Sequence, residues 1–115
     1  MKSPSRFLMS CLAGFGLASA DADQFGDFTY SDDGTSITIT DYPEAATGAV
    51  VIPNTIVGKP VTAIGVLAFL NCGEITSVSI PASVNSIGDQ AFVNCVKITT
   101  VNLPAGITWI GYNTF

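Results

Sequence analysis

Residues 61–83 read VTAIGVLAFLNCGEITSVSIPAS, and residues 84–106 read VNSIGDQAFVNCVKITTVNLPAG. A third copy begins at Ile107 as ITWIGYNTF and reaches Phe115, the place of the phenylalanine in the first two copies. The period is 23 residues. A fixed period of this size is typical of a solenoid, in which each unit buries its apolar face against its neighbours. The sequence therefore predicts a repeat stack over residues 48–115, with an incomplete last unit at 107–115.

Each unit divides into two extended pieces and a turn. Thr76–Ile80 alternates apolar and small polar residues, which favours a strand, and Pro81 ends it. Val84–Ile87 is a second extended piece, and Asp89–Asn94 has room for one helical turn. Stacking equivalent pieces predicts a mainly β solenoid with short helical turns and parallel strand ladders.

Apolar residues recur at the same places in successive units, so each set is expected to form one column of the core. Full burial of one such side chain contributes roughly 1.5–3 kcal/mol. The expected columns are Val61/Val84/Ile107, Ile64/Ile87/Ile110, Phe69/Phe92/Phe115, Ile75/Ile98, Val78/Val101 and Ile80/Leu103.

The stack is preceded by less regular sequence. Residues 48–60 form an irregular first unit, in which Ala49–Pro53 aligns with the strand of the later units. Within residues 21–47, Asp33-Gly34 separates two alternating runs, Phe28–Tyr30 and Ile37–Thr40, which predicts a β-hairpin. We expect this hairpin to cap the N-terminal end of the stack.

Five aspartates lie close together in this acidic N-terminal segment, at positions 21, 23, 27, 32 and 33. A calcium site is one interpretation, but the spacing does not fit the twelve-residue calcium loop, and no bidentate glutamate follows at the right distance. The preferred interpretation is a solvated acidic face, without a metal ion.

Residues 1–20 have the three parts of a secretory signal peptide. Lys2 and Arg6 give a positive start, an apolar stretch follows, and Ala18-Ser19-Ala20 is a small-x-small cleavage site. Cleavage after Ala22 is the alternative. The apolar stretch is too short for a membrane span, which needs about 20 residues. The protein is therefore expected to be secreted or displayed at the cell surface, with no transmembrane span.

The composition argues against several classes of function. The chain has a net charge of −5 and no histidine, and its only cations beyond residue 20 are Lys59 and Lys97. A nucleic-acid partner would be repelled. Ser-His and Cys-His nucleophile pairs and histidine-containing zinc sites are impossible. We expect no catalytic residues, no cofactor and no nucleic acid.

Three motifs recur in one register: AF-x-N-C at Ala68–Cys72, I-T-x-V-x-[IL]-P at Ile75–Pro81 and V-x-x-I-G at Val84–Gly88. In these motifs the chain resembles the BspA-like leucine-rich repeat proteins. The resemblance covers residues 28–115 and implies a leucine-rich-repeat solenoid that is exported or displayed at the surface. Some members mediate adhesion to host proteins or other cells, and the family has no shared catalytic residues. This chain departs from the pattern in having barely more than two full repeats and no visible C-terminal cap or sorting segment.

Cys72 and Cys95 are one repeat apart and are expected on adjacent rungs, roughly 5 Å apart. A disulfide is within reach at that distance, and an exported protein meets an oxidising compartment. The preferred interpretation is a pair of buried thiols, because stacked side chains point in parallel rather than toward each other.

Two surfaces are candidates for contact with a partner. If Val78 and Ile80 point inward, the outward strand face carries the small polar side chains of Ser77, Ser79, Thr100 and Asn102. The last unit adds a second candidate, an open end with three aromatic residues, Trp109, Tyr112 and Phe115. One interpretation is an exposed aromatic edge that permits self-association. The preferred interpretation is that the next repeat covers these aromatic residues.

The leading hypothesis is an exported, non-catalytic module for adhesion or recognition, whose ligand is an unidentified protein or glycan outside the cell. The alternative is a partial N-terminal fragment of a longer surface repeat protein, with only a structural role. At least three repeats are normally needed for stability, which is the argument for the alternative.

Overall fold

A computed structural model describes residues 23–115, and the signal peptide predicted for residues 1–20 lies outside them. The described residues contain ten β-strands and no helix. In chain order the strands are β1 (Asp23–Phe25), β2 (Phe28–Asp32), β3 (Ile37–Asp41), β4 (Gly48–Val51), β5 (Thr55–Ile56), β6 (Lys59–Ile64), β7 (Ile75–Ser79), β8 (Ser86–Ile87), β9 (Thr100–Asn102) and β10 (Trp109–Ile110).

Two parallel ladders run along the stack, which confirms the predicted solenoid. We call β3, β6, β8 and β10, which pair in that order, the long ladder, and β4, β7 and β9 the short ladder. Equivalent residues of successive units are partners, as with Ile64 and Ile87 in the long ladder or Val78 and Val101 in the short one. The 23-residue period is thus one turn of the solenoid.

The N-terminal hairpin extends the long ladder. Strands β2 and β3 pair antiparallel around Asp33-Gly34, and β3 then pairs parallel with β6. Strand β1 adds a further antiparallel strand outside β2. The polar turn is held by its own aspartates, because Asp33 Oδ1 accepts the backbone N–H groups of Thr35 and Ser36 at 2.9 and 2.8 Å.

The irregular first unit contains a second, tighter hairpin. Strand β5 pairs antiparallel with the start of β6, and Val57-Gly58 connects them with φ values of 47° and 80°. Two successive positive φ values are those of a type I′ turn, which matches the twist of a two-residue hairpin. Lys59 Nζ then pairs with Asp32 Oδ2 at 3.0 Å, which links this unit to the N-terminal hairpin.

The helical turn expected at Asp89–Asn94 does not form. Hydrogen-bonded turns replace it, because Gln90 and Asn94 have positive φ values of 56° and 63°, which a right-handed helix does not allow. Leu67 and Asn71, the equivalent residues one unit earlier, also have positive φ values. The turn segments also bond between units, as Leu67, Phe69 and Asn71 donate their N–H groups to carbonyls of the next unit.

The core follows the predicted columns except at the C-terminal end of the stack. The column residues of the unit 61–83, together with Val84, Ile87 and Phe92 of the next unit, are almost fully buried, from Val61 and Phe69 at 0% exposure to Ile80 at 5%. Leu103 in the second unit is 46% exposed, and in the last unit Ile110 is 41% and Phe115 60% exposed, so the expectation that these columns are buried throughout is wrong at this end. The reason is that no described residues lie over the last turn of the stack. Ile98, Val101 and Ile107 remain partly buried against the core.

Candidate recognition surface

The outward face of the short ladder carries two short columns of side chains in register. Ser77 pairs with Thr100, and Ser79 pairs with Asn102, while Val78 between them is 1% exposed and faces the core. Because side chains alternate across a strand, the two serines and their partners share the opposite face. Thr100 and Asn102 are exposed, and the two serines are half-buried.

Sequence reasoning omitted one strand of this face. Strand β4 pairs Ala49 with Ser77 and Val51 with Ser79, and the Val51 side chain is 70% exposed. The alignment of Ala49–Pro53 with the later strands was the signal that could have found them. The face therefore has three strands and is apolar on β4 and polar on β7 and β9.

No charged residue occupies the outward positions of the short ladder among the described strands. The nearest ion pair precedes the strand starts, where Lys97 Nζ lies 2.8 Å from Glu74 Oε1. Both side chains are more than half exposed, so the pair contributes less than about 1 kcal/mol. The face can therefore offer hydroxyl and amide hydrogen bonds over a surface with little charge, and the small side chains let a partner approach the sheet closely.

The open end is the second candidate surface. Trp109, Tyr112 and Phe115 expose 59%, 65% and 60% of their area. Beside Phe115 lies an open pocket of about 260 Å³. The rest of its lining comes from the short-ladder side of the preceding unit, 84–106: Ile98, Thr99, Thr100, Val101 and Leu103.

The two cysteines lie on adjacent turns as free thiols, Cys72 buried and Cys95 partly exposed. Cys95 Sγ donates to the carbonyl of Phe69 at 3.0 Å, and the N–H of Cys72 donates to the same carbonyl at 3.2 Å. The hydrogen bond between the two thiols, together with burial, raises the pKa of Cys72 well above its usual range. Both effects keep Cys72 protonated.

Asp32 and Asp33, two of the five aspartates of the N-terminal segment, have protein partners, and Asp21 lies outside the described residues. Asp32 accepts the Gly34 N–H at 2.8 Å and pairs with Lys59, and Asp33 closes the hairpin turn. Across residues 23–115, no cluster of three or more acidic or cysteine side chains is arranged to hold a metal ion. None of the elements described in this range is a helix of the length and apolarity that crossing a bilayer requires.

The repeats match a known protein family. Residues 47–115 match the family described as "BspA type Leucine rich repeat region", in six copies. The chain belongs to the BspA-type leucine-rich repeat family. The resemblance inferred from the three motifs is therefore confirmed. No curated protein shows significant similarity to this chain.

Solved structures of bacterial leucine-rich repeat proteins share the fold. The T. pallidum protein TpLRR is 36% identical with a TM-score of 0.69, over 77% of this chain and 42% of its own. A protein of Bacteroides capillosus ATCC 29799 is 32% identical with a TM-score of 0.73, over 80% of this chain and 72% of its own.

A third similar structure, from Faecalibacterium prausnitzii A2-165, is described as a leucine rich cell surface protein. It is 31% identical with a TM-score of 0.68, over 78% of this chain and 26% of its own. This repeat-family chain thus spans less than half of the T. pallidum protein and about a quarter of the F. prausnitzii protein.

Proposed function

We propose that this BspA-type repeat protein is an exported, non-catalytic recognition module that binds a protein or glycan at the cell surface or outside the cell. Three observations support the proposal: membership of the repeat family, similarity to a protein described as a cell surface protein, and the signal-like residues 1–20. The contact surface is the outward face of the short ladder.

The register of the short ladder is the observation that carries the proposal. Ser77 with Thr100 and Ser79 with Asn102 place polar groups on adjacent strands, which lie about 4.8 Å apart in a sheet. Hydroxyl and amide groups both donate and accept hydrogen bonds, so such a grid can bond a peptide backbone or the hydroxyls of a sugar. The backbone of the middle strand, β7, is bonded to strands on both sides, so the side chains and not a free sheet edge make the contact.

The chemistry of this face predicts weak binding by a single module. Tyrosine, tryptophan and arginine dominate the strongest contacts of protein interfaces, and the outward positions of the described short ladder carry none of them. Useful affinity then comes from several modules or copies acting together, since linked sites raise the effective concentration.

Binding to a panel of extracellular proteins and glycans tests the proposal, with Ser79→Arg as the disrupting variant. Ser79 lies in the middle strand of the short ladder, where a long charged side chain would block approach to the face. Ser86→Arg is the matched control, because Ser86 is equally half-buried and lies in an inner strand of the long ladder.

We expect saturable binding of one panel member, a loss of at least about tenfold in Ser79→Arg, corresponding to about 1.4 kcal/mol, and no change in Ser86→Arg. The protein and glycan arms of the panel identify the class of ligand. Absence of saturable binding by the folded protein, or equal loss in both variants, would contradict the proposal.

A further inference from the structure

The short ladder has a free edge at strand β4, on the side of the N-terminal hairpin. Its strands pair in the order β4, β7 and β9, and no other strand of residues 23–115 lies on the outer side of β4. At the same end of the stack the long ladder is covered, because β2 and β1 extend it beyond β3. The hairpin therefore caps one ladder and leaves the other with a row of unpaired backbone groups in the described part of the chain.

The hydrogen bonds of β4 identify the groups that lie on this edge. The N–H groups of Gly48 and Ile52 donate to carbonyls of the neighbouring unit at 3.2 and 3.1 Å. Alternate residues of a paired strand direct their N–H and C=O groups to opposite sides, so those of Ala49 and Val51 point away from β7. These groups have no hydrogen-bond partner among residues 23–115. They can therefore bond to one more strand.

The edge of β4 lacks the features that usually prevent pairing. Natural proteins protect exposed edges with charged residues, proline or very short strands. Strand β1 is protected in this way, because it has three residues and carries Asp23. Strand β4 reads GAVV without a charge, and Pro53 comes only after the strand has ended. Val51 exposes 70% of its area beside the free groups. An uncharged apolar edge of this kind accepts an extended peptide as an additional strand.

The charges at this end of the stack determine which peptide fits. Residues 23–58 contain six acidic residues and no Lys or Arg. Lys59 pairs with one of the six, Asp32. Glu44 is exposed in the turn that precedes β4. The negative field attracts a basic segment, and it repels a second copy of this chain, whose own β4 lies at an equally acidic end.

We propose that the free edge of β4 binds an extended, basic segment of a partner protein, which adds a strand to the short ladder. Main-chain hydrogen bonds to Ala49 and Val51 hold the segment, and its outward side chains pack beside Val51. Lys or Arg residues on either side of the paired stretch face the acidic N-terminal region. The contact is made by main-chain groups, so it is separate from the side-chain face of β7 and β9 and does not depend on the function proposed for that face.

Titration of the isotope-labelled protein with the capped peptide KKVTVTKK, followed by amide exchange in NMR spectra, tests the proposal. In the free protein the N–H groups of Ala49 and Val51 should exchange with water faster than that of Val50, which points to β7. We expect saturable binding with a dissociation constant below about 1 mM. At about ten times that constant, the two edge amides should exchange roughly tenfold more slowly, because only about a tenth of the protein remains free.

The variant Val51→Pro removes one donor of the edge. The ladder does not use the N–H of Val51, so proline is compatible with this place in an edge strand. Val51→Thr is the matched control, because threonine keeps the N–H and the β-branched shape. Val51→Pro should weaken peptide binding by at least about tenfold, and Val51→Thr by less than about twofold. A thermal melt of each variant monitors the fold.

Two further peptides test the wild-type protein without any substitution. EEVTVTEE has the same central residues with opposite charge and should bind at least about tenfold more weakly. KKVTVTKK methylated on the backbone nitrogens of its VTVT residues keeps the charge but cannot donate, and should not bind at about 1 mM.

Three results overturn the proposal. The first is no saturable binding of KKVTVTKK by about 1 mM. The second is equal binding of the methylated or the acidic peptide, which removes the role of the main chain or of the charge. The third is slow exchange of the Ala49 and Val51 amides without peptide. Another part of the chain then occupies the edge, or a second copy does if the protection rises with protein concentration.

Discussion

The rings of Phe69 and Phe92, one repeat apart, stack with their centroids 4.8 Å apart and an angle of 16° between their planes. Phe115 continues the stack 5.3 Å beyond Phe92, and Tyr42 and Phe28 begin it at successive distances of 5.0 Å. Five aromatic rings therefore form one column from the N-terminal hairpin to the last unit. The column joins elements of unlike structure, since Phe28 lies in an antiparallel hairpin and Phe69 in a turn.

Replacement of Phe92 by alanine should be the most damaging change in this column. Phe92 is 2% exposed and stacks on both sides, so Phe92→Ala is expected to lower the free energy of unfolding by about 3–5 kcal/mol. Phe115→Ala removes a ring that is 60% exposed and stacks on one side only, and should cost less than about 1 kcal/mol. Urea unfolding followed by circular dichroism measures both. Equal losses would show that the column does not act through burial.

The glycine of the V-x-x-I-G motif is required because the neighbouring turn leaves no room for a side chain. The N–H of Gly88 donates to Ile64 at 2.7 Å, and a Cβ at Gly88 would lie only 2.6 Å from the backbone nitrogen of Val66. Since that atom belongs to the previous turn of the stack, Gly88→Ala must push two turns apart. We expect the free energy of unfolding to fall by about 1–3 kcal/mol, as at other overpacked sites.

Gly106→Ala is the control for the glycine prediction. No atom lies within 4 Å of a Cβ built at Gly106, so the substitution should leave the melting temperature unchanged or raise it slightly, by restricting the unfolded chain. A thermal melt of the two variants compares them. A melting temperature of Gly88→Ala equal to that of Gly106→Ala would show that the tight approach at Gly88 is relaxed at little cost.

Features that depend on repetition could be predicted from the sequence. The two ladders, the alternation of buried Val78 with the outward serines and the N-terminal hairpin follow from period, alternation and an Asp-Gly turn. Stacking forces equivalent residues into one column, so a single pair of aligned units determines the register. The candidate polar face could be predicted for the same reason, although the contribution of β4 was missed.

The turn segments could not be predicted in the same way. A sequence such as DQAFVN has acceptable helix formers, and periodicity gives no sign that Gln90 and Asn94 adopt left-handed φ values. That conformation is selected by hydrogen bonds to the neighbouring units: the N–H of Phe69 bonds to Ala91, and the N–H of Phe92 bonds to Thr114. Tertiary contact therefore decides the local structure, and a single unit does not contain that information.

The two cysteines should differ in reactivity. Cys95 is partly exposed, whereas Cys72 is 0% exposed and has a raised pKa, first because of the hydrogen bond with Cys95 and then because of burial. Since the thiolate is the reactive form, iodoacetamide should modify Cys95 first in the native protein and Cys72 only after unfolding. Peptide mass spectrometry assigns each site, and Cys95→Ser should remove the early labelling. A Cys72–Cys95 disulfide would leave both sites unlabelled even in the unfolded chain and would contradict this prediction.

Acid should weaken the N-terminal hairpin through Asp33. Hydrogen bonds from the N–H groups of Thr35 and Ser36 lower the pKa of Asp33 to about 2, below the ordinary value of about 3.9 in an unfolded chain. A lowered pKa means that the ionised form stabilises the fold above about pH 4, and that this contribution is lost as the pH falls toward about 2.

Asp33→Asn keeps an oxygen acceptor but does not titrate. The melting temperature of the variant should therefore be lower at neutral pH and should fall less steeply between about pH 4 and 2. Asp32, whose pKa is lowered by Gly34 and Lys59, retains part of the slope in both proteins. Parallel melting curves for the two proteins across this range would show that the Asp33 turn does not contribute to acid sensitivity.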